Sequence, residues 1–204
     1  MTFDEIMREA PVIPVLVWNH KLDPAEVADV LVKAGLPVIE VTLRTADGLD
    51  VLRAMAKVPG AIAGAGTITS PAMLEEAVDA GASFIVAPGL TEKLARAAAD
   101  AAIPFLPGVA TAGEILHGLE LGLDRFKFFP AEAAGGAPVL KAMRGPYANV
   151  RFCPTGGVTT ENARDYLGLE CVLCVGGTWI LKGGDTDLDV IRERAESAAK
   201  LSRG

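Results

Sequence analysis

Eight short apolar runs, recurring along the whole chain, constrain the fold more than any other feature. They are "PVIPVLV" (11–17), "PVIEVTL" (37–43), "AIAGAG" (61–66), "SFIVAPG" (83–89), "IPFLPG" (103–108), "RFKFF" (125–129), "VRFCPTGG" (150–157) and "CVLCVGG" (171–177). Successive runs begin 20 to 26 residues apart. Between most of them lie stretches with apolar residues at i, i+3 and i+4, such as 23–35, 70–81 and 111–122. Each of these three opens on Asp23, Ser70 or Thr111 as an N-cap and ends at a glycine. A buried strand alternating with a helix implies a parallel α/β fold. Eight repeats is the number that closes a (β/α)8 TIM barrel. "DEIMREA" adds an extra N-terminal helix before the first strand. The rival is an open doubly wound sheet, whose dinucleotide fingerprint is G-x-G-x-x-G after an early strand. "GAGTIT" comes nearest and lacks the third glycine. No composition break divides the chain, so residues 1–204 are read as one domain.

Half of the 204 residues are hydrophobic, enough for one well-buried core. The formal charge is −7 and no Lys/Arg cluster appears, which argues against a nucleic-acid partner. It does not exclude an anionic small molecule, because a pocket can be locally positive. No apolar stretch reaches the roughly 18 residues of a membrane span. The first ten residues are acidic and amphipathic, unlike a signal peptide. A cytoplasmic protein is the expectation. Cys171 and Cys174 form a C-x-x-C, but residues three apart on a strand face opposite ways, which suits neither chelation nor a disulfide. They and Cys153 are read as small core residues. His20 and His117 have no second histidine at ligand spacing, so no metal site is expected.

Barrel active sites lie at the C-terminal ends of the strands, so reactive side chains are sought there. In "VIEVTLRT", Glu40, Thr42 and Arg44 share one face, while Val41 and Leu43 face the helices. The bland alternative is a Glu40–Arg44 pair, but four residues along a strand is about 13 Å. In "DRFKFFPAE", alternation turns Phe126 and Phe128 to the helices and Lys127, with Phe129, into the lumen. The other seven lysines lie in helical or loop segments. Burial disfavours the charged form of an amine, and a neutral amine attacks carbonyl carbon to form Schiff bases. The alternative is a Lys127 paired to a buried carboxylate, which Glu40 could be; the two readings are compatible. "PTGGVT" and "VGGTW" place Gly156, Gly157, Gly177 and Thr178 after the last two strands, where barrels bind phosphate through backbone N–H groups. Thr67 ends the third strand among small residues, which either leave room for a ligand or serve close packing. A lysine nucleophile, an acid–base carboxylate, an arginine and a phosphate nest suit a carbonyl substrate with a carboxylate at one end and a phosphate at the other.

These motifs, with "APGLTE" and "RFCPTGG", run nearly end to end and closely resemble the 2-keto-3-deoxy-6-phosphogluconate (KDPG) aldolase family, class I aldolases of the Entner–Doudoroff pathway. The resemblance implies a (β/α)8 barrel, a homotrimer and no cofactor. It makes Lys127 the Schiff-base lysine and Glu40 the proton-transfer carboxylate. It assigns Arg44 and Thr67 to the pyruvate end, and Gly156, Gly157, Gly177 and Thr178 to the phosphate. Thr178 stands where the family usually has serine, keeping the hydroxyl and adding a methyl. The implied reaction is reversible cleavage of KDPG, a phosphorylated keto acid, to pyruvate and glyceraldehyde 3-phosphate. One alternative is a lyase preferring an unphosphorylated substrate, 4-hydroxy-2-oxoglutarate. The other is a non-catalytic phosphate-sugar binder, which would not need Lys127 and Glu40 on facing strands.

Overall fold

Residues 1–202 are described from a computed structural model. Helix α1 (Phe3–Glu9) precedes strand β1 (Val12–Leu16). There follow α2 (Pro24–Lys33), β2 (Val38–Thr42), α3 (Gly48–Met55), β3 (Ile62–Gly66), α4 (Pro71–Asp79), β4 (Ile85–Val86) and α5 (Glu92–Asp100). Then come β5 (Phe105–Leu106), β6 (Gly108–Val109), α6 (Ala112–Glu120), β7 (Arg125–Phe128), α7 (Gly136–Met143), β8 (Arg151–Pro154), α8 (Ala163–Leu167), β9 (Val175–Gly177) and α9 (Leu188–Ala199).

The helices start and stop where their local chemistry dictates. The Asp23 carboxylate accepts from Ala25 N–H, the Ser70 hydroxyl from Met73 N–H, and Thr111 with Glu114 forms a reciprocal capping box. Gly35, Gly81 and Gly122 follow α2, α4 and α6 with φ of 89°, 91° and 78°. An L side chain resists that left-handed conformation, so glycine ends these helices cheaply.

All named strand pairs are parallel. They form two parallel sheets, a six-stranded one in the order β5-β4-β3-β2-β1-β9 and a three-stranded one in the order β6-β7-β8. β5 and β6 are halves of the fifth apolar run, separated at Pro107, which has no N–H to donate to a ladder. Its carbonyl still accepts from Lys127 N–H at 2.9 Å, tying β7 to that position. At the other seam, isolated bridges Phe152↔Val172 and Thr155↔Gly176 join the β8 region to the β9 region. The last apolar run departs from expectation. It is a strand only over Val175–Gly177, because Val172 N–H turns back to Leu169 C=O and residues 171–174 carry no ladder.

Two apolar layers result. The larger joins the helices to the outward faces of the strands and contains Phe126, Phe128 and Phe152. Phe126 lies where a Cβ on Gly118 of α6 would stand 2.4 Å from its ring, so α6 approaches β7 closely. The smaller layer packs Phe3, Ile6 and Met7 of α1 on Ile13, Val38, Phe84 and Cys153. Phe3 meets Phe84 edge-on at 5.6 Å. α1 therefore covers the side of the sheet near the strands' N-terminal residues. That leaves their C-terminal ends for chemistry. Cys171 and Cys174 are buried in different layers, and among the described residues the three cysteines form no disulfide.

Candidate active site

β7 and β2 bring Lys127 and Glu40 together. Lys127 pairs in register with Gly108 on one side and Cys153 on the other. Glu40 sits between Val15 of β1 and Gly64 of β3. The Lys127 ammonium donates to Glu40 Oε1 at 3.3 Å, and each residue is only 4 % exposed. Separated by 87 positions in sequence, the two form a buried ion pair. Such pairs give little net stability, and removing one partner costs about 3–5 kcal/mol. The amine also lies 5.2 Å from the centroid of the Phe129 ring. Glu40 has room because β3 ends in glycine. A Cβ on Gly66 would stand 2.1 Å from Glu40 Oε1.

Arg44 lies beyond the end of β2 and is exposed, with its Nε donating to Thr67 Oγ1 at 3.0 Å. It therefore does not pair with Glu40. Thr67 is held at φ 64°, rare for a β-branched residue and costing on the order of 1–3 kcal/mol. Between them, Thr42 is fully buried and donates to Leu16 C=O at 2.9 Å, locking β2 to β1 beside the site.

A cavity of about 230 Å³ opens at the strands' C-terminal ends, lined by Arg44, Lys127, Thr155, Gly156, Gly157 and Thr178 among others. Gly156 and Gly157 have φ of 96° and 80°, a double left-handed turn. Their turn is pinned from behind. Ala131 N–H donates to Thr155 C=O at 2.8 Å, Glu132 N–H to Gly156 C=O at 3.1 Å, and Asn162 Nδ2 to Gly157 C=O at 3.1 Å. With those carbonyls turned away, the cavity wall is glycine backbone, the kind of surface that approaches an anion closely.

The structure also sorts the sequence candidates. Lys127, Arg44, Gly156, Gly157 and Thr178 line the cavity, Glu40 lies one hydrogen bond behind Lys127, and Thr67 holds Arg44. Gly177 lies between the lining residues Gly176 and Thr178 without itself lining the cavity, and a Cβ there would stand 2.0 Å from the Trp179 ring, so packing alone requires glycine at this position. Gly176 lines the cavity in its place. Phe129 lines the cavity beside Lys127, as alternation along the strand requires, whereas sequence reasoning missed Gly176, Gly66 and Thr155. Thr155 is buried and faces the cavity from the end of β8. Period 2 could have found it, since Thr155 shares the face of Cys153, the register partner of Lys127. Among the described residues no three His, Cys, Asp or Glu side chains cluster as a metal would need.

Comparisons with known proteins bear on this geometry. Residues 3–193 match the protein-family description "KDPG and KHG aldolase". The chain is 47 % identical over 205 residues to "KHG/KDPG aldolase" of Escherichia coli (strain K12), covering 97 % of this chain and 96 % of that protein. It superposes with a TM-score of 0.96 and 48 % identity on the 2-keto-3-deoxy-6-phosphogluconate aldolase of Zymomonas mobilis ZM4, solved with 3-phosphoglycerate, covering 98 % of this chain and 96 % of that one. A KDPG aldolase from Legionella pneumophila, solved with pyruvate captured at low pH as a covalent carbinolamine intermediate, gives 0.94 and 39 % over 98 % and 99 %.

Proposed function

The chain belongs to the KDPG and KHG aldolase family, and from that premise we propose that it is a class I aldolase cleaving KDPG reversibly to pyruvate and glyceraldehyde 3-phosphate. One observation carries the reading: a buried ammonium, 3.3 Å from a buried carboxylate, on the wall of a cavity that also holds a glycine turn. The carbinolamine trapped in the Legionella relative is the adduct such an amine forms with pyruvate. The 3-phosphoglycerate of the Zymomonas relative differs from glyceraldehyde 3-phosphate only in the oxidation state of one carbon.

Transfer of the Lys127 ammonium proton to Glu40 leaves a neutral amine, which attacks the C2 ketone; the nitrogen sheds a proton and the carbonyl oxygen gains one, becoming the hydroxyl of a carbinolamine. Glu40 supplies the proton that lets this hydroxyl leave as water, giving an iminium. The C4 hydroxyl then yields its proton to Glu40, either directly or through one water. The C3–C4 electron pair flows into the iminium, so glyceraldehyde 3-phosphate departs and an enamine remains. Protonation at C3 and hydrolysis release pyruvate and restore the amine. Arg44, pre-aimed by Thr67, forks onto the substrate carboxylate, a two-bond grip that lysine does not reproduce. The turn at Gly156 and Gly157, with Thr178, receives the phosphate.

The eight strand positions are read as a closed (β/α)8 barrel in one domain, supported by the bridges at the β8–β9 seam and the chain continuity across Pro107. A homotrimer accords with Leu116 and Leu119 of α6 standing exposed. A cytoplasmic place in the Entner–Doudoroff pathway follows from the resemblance. Among the described residues no helix is long and apolar enough to cross a membrane. Assaying pyruvate release from KDPG, with and without chelator, tests the reading. Turnover untouched by EDTA is expected. Strong inhibition by EDTA contradicts a lysine-only mechanism. The name of the Escherichia coli relative also supports 4-hydroxy-2-oxoglutarate as a second substrate. Comparing kcat/KM for the two substrates ranks them.

A further inference from the structure

The cavity holding Lys127 is small for its proposed substrate. Sites enclosing a small molecule usually measure roughly 300–1,000 Å³, and this one is about 230 Å³. A second cavity of about 310 Å³ adjoins it, sharing Val15, Val17 and Thr178. Its remaining wall includes Asn19, Leu181, Lys182 and Gly183. The proposed reading gives the substrate carboxylate a cation, Arg44, but gives the phosphate only backbone N–H groups and a hydroxyl. The second cavity, which shares Thr178 with the first, has a lysine, Lys182, in its wall.

Lys182 stands on a braced turn. Its N–H donates to Asp185 Oδ2 at 2.7 Å, and Asp185 N–H returns to Lys182 C=O at 3.0 Å. Arg194 grips the same Asp185 oxygen at 2.5 Å, and His20 Nδ1 lies 3.3 Å from Asp185 C=O. Burial pushes the Asp185 carboxyl up, but Arg194 and the Lys182 amide outweigh it and hold the group below its usual range. The charge of Asp185 is thus engaged by Arg194. Among the described residues, no carboxylate lies within ion-pair distance of the Lys182 ammonium. Glu161, just past the glycine turn, is the acid that feels it. Thr159 and Thr160 hydroxyls chiefly hold Glu161 below its usual range, and the positive charge of Lys182 adds to them.

We propose that the adjoining cavity completes the substrate site, with Lys182 the cation that pairs with the substrate phosphate across Thr178. This inference rests on reading the first cavity as a phosphorylated keto-acid site. The dianion would meet glycine backbone from one side and Lys182 from the other. Lys182 then acts as a specificity-determining residue, favouring phosphorylated over unphosphorylated keto acids. The effect weakens with salt, since the ammonium is exposed.

Steady-state kinetics of wild type, Lys182→Met and Lys182→Arg on KDPG and on its unphosphorylated analogue, at low and high salt, test this. Lys182→Met should raise KM for KDPG about tenfold at low salt, the scale of one charge-assisted hydrogen bond. The kcat and the KM of the unphosphorylated analogue should stay within about twofold. Lys182→Arg should restore most of the loss, and high salt should shrink the gap. An unchanged KM for KDPG in Lys182→Met, or an equal rise for both substrates, overturns the proposal. In parallel, wild type is treated with pyruvate and borohydride. Trapping there with an unchanged Lys182→Met KM removes only the role of Lys182. No trapping overturns the functional reading, and this inference with it.

Discussion

At the buried end of the site, Lys127 and Glu40 stand on interior positions of two strands and meet with each residue only 4 % exposed. At the open end, the wall is a turn of two left-handed glycines, with Thr178 and Lys182 exposed at its edge. The first end is made of side chains held by ladder hydrogen bonds on both flanks. The second is made mainly of backbone, held by Ala131 N–H, Glu132 N–H and Asn162. Chemistry that makes and breaks bonds needs functional groups placed to a fraction of an ångström, and strands supply that. Recognition of an anion needs converging N–H groups, and a turn supplies them. The two ends should therefore fail differently when altered: one in kcat, the other in KM.

The sharpest break is at Lys127. Lys127→Met leaves no nucleophile, and loss of a covalent nucleophile elsewhere costs on the order of 10⁶ in kcat. Pyruvate release from KDPG reads this, with circular dichroism to confirm folding, because Glu40 is left buried and unpaired. Glu40→Gln keeps shape and volume and removes the base. It should lower kcat by about 10²–10⁴ with little change in KM, as acid–base groups generally do. Gly66→Ala tests placement. Its Cβ would stand 2.1 Å from Glu40 Oε1 and must push that carboxylate aside. A displacement near 1 Å costs about 10² in rate, again in kcat. Gly157→Ala moves the comparison to the open end. A residue with a Cβ is strained at φ 80° and meets Glu132 Cγ at 2.6 Å. KM for KDPG should rise roughly tenfold, about 1.4 kcal/mol, while borohydride trapping of pyruvate is unaffected. A fall in trapping there would erase the distinction between the two ends.

The buried end was legible in the sequence because period 2 is a strong constraint. A charged residue flanked by Phe126 and Phe128 has only one face left, and "VIEVTLRT" turns its acid the same way. What period 2 does not supply is partner choice. Spacing along the strand argues against Arg44, but which buried group on another strand meets Glu40 depends on the order of strands around the sheet. The open end was less legible. Two adjacent glycines signal a turn, but not which of them faces the ligand and which yields to a neighbouring ring. In "PTGG" both line the cavity, whereas in "VGG" Gly176 does and Gly177 makes way for Trp179. Strand limits were hidden for a similar reason. "CVLCVGG" is apolar throughout, yet the turn from Leu169 to Val172 delays its ladder to Val175. Lys182 lies in a loop, where solvation accounts for any lysine, so only the adjoining cavity singles it out.

The central claim is that the Lys127 amine forms the covalent bond to substrate. Incubation with pyruvate and borohydride, followed by digestion and mass mapping, tests it most directly. The account predicts one reduced pyruvyl adduct, on Lys127, in wild type and none in Lys127→Met. An adduct on another of the eight lysines, or no adduct on the wild-type protein, contradicts it.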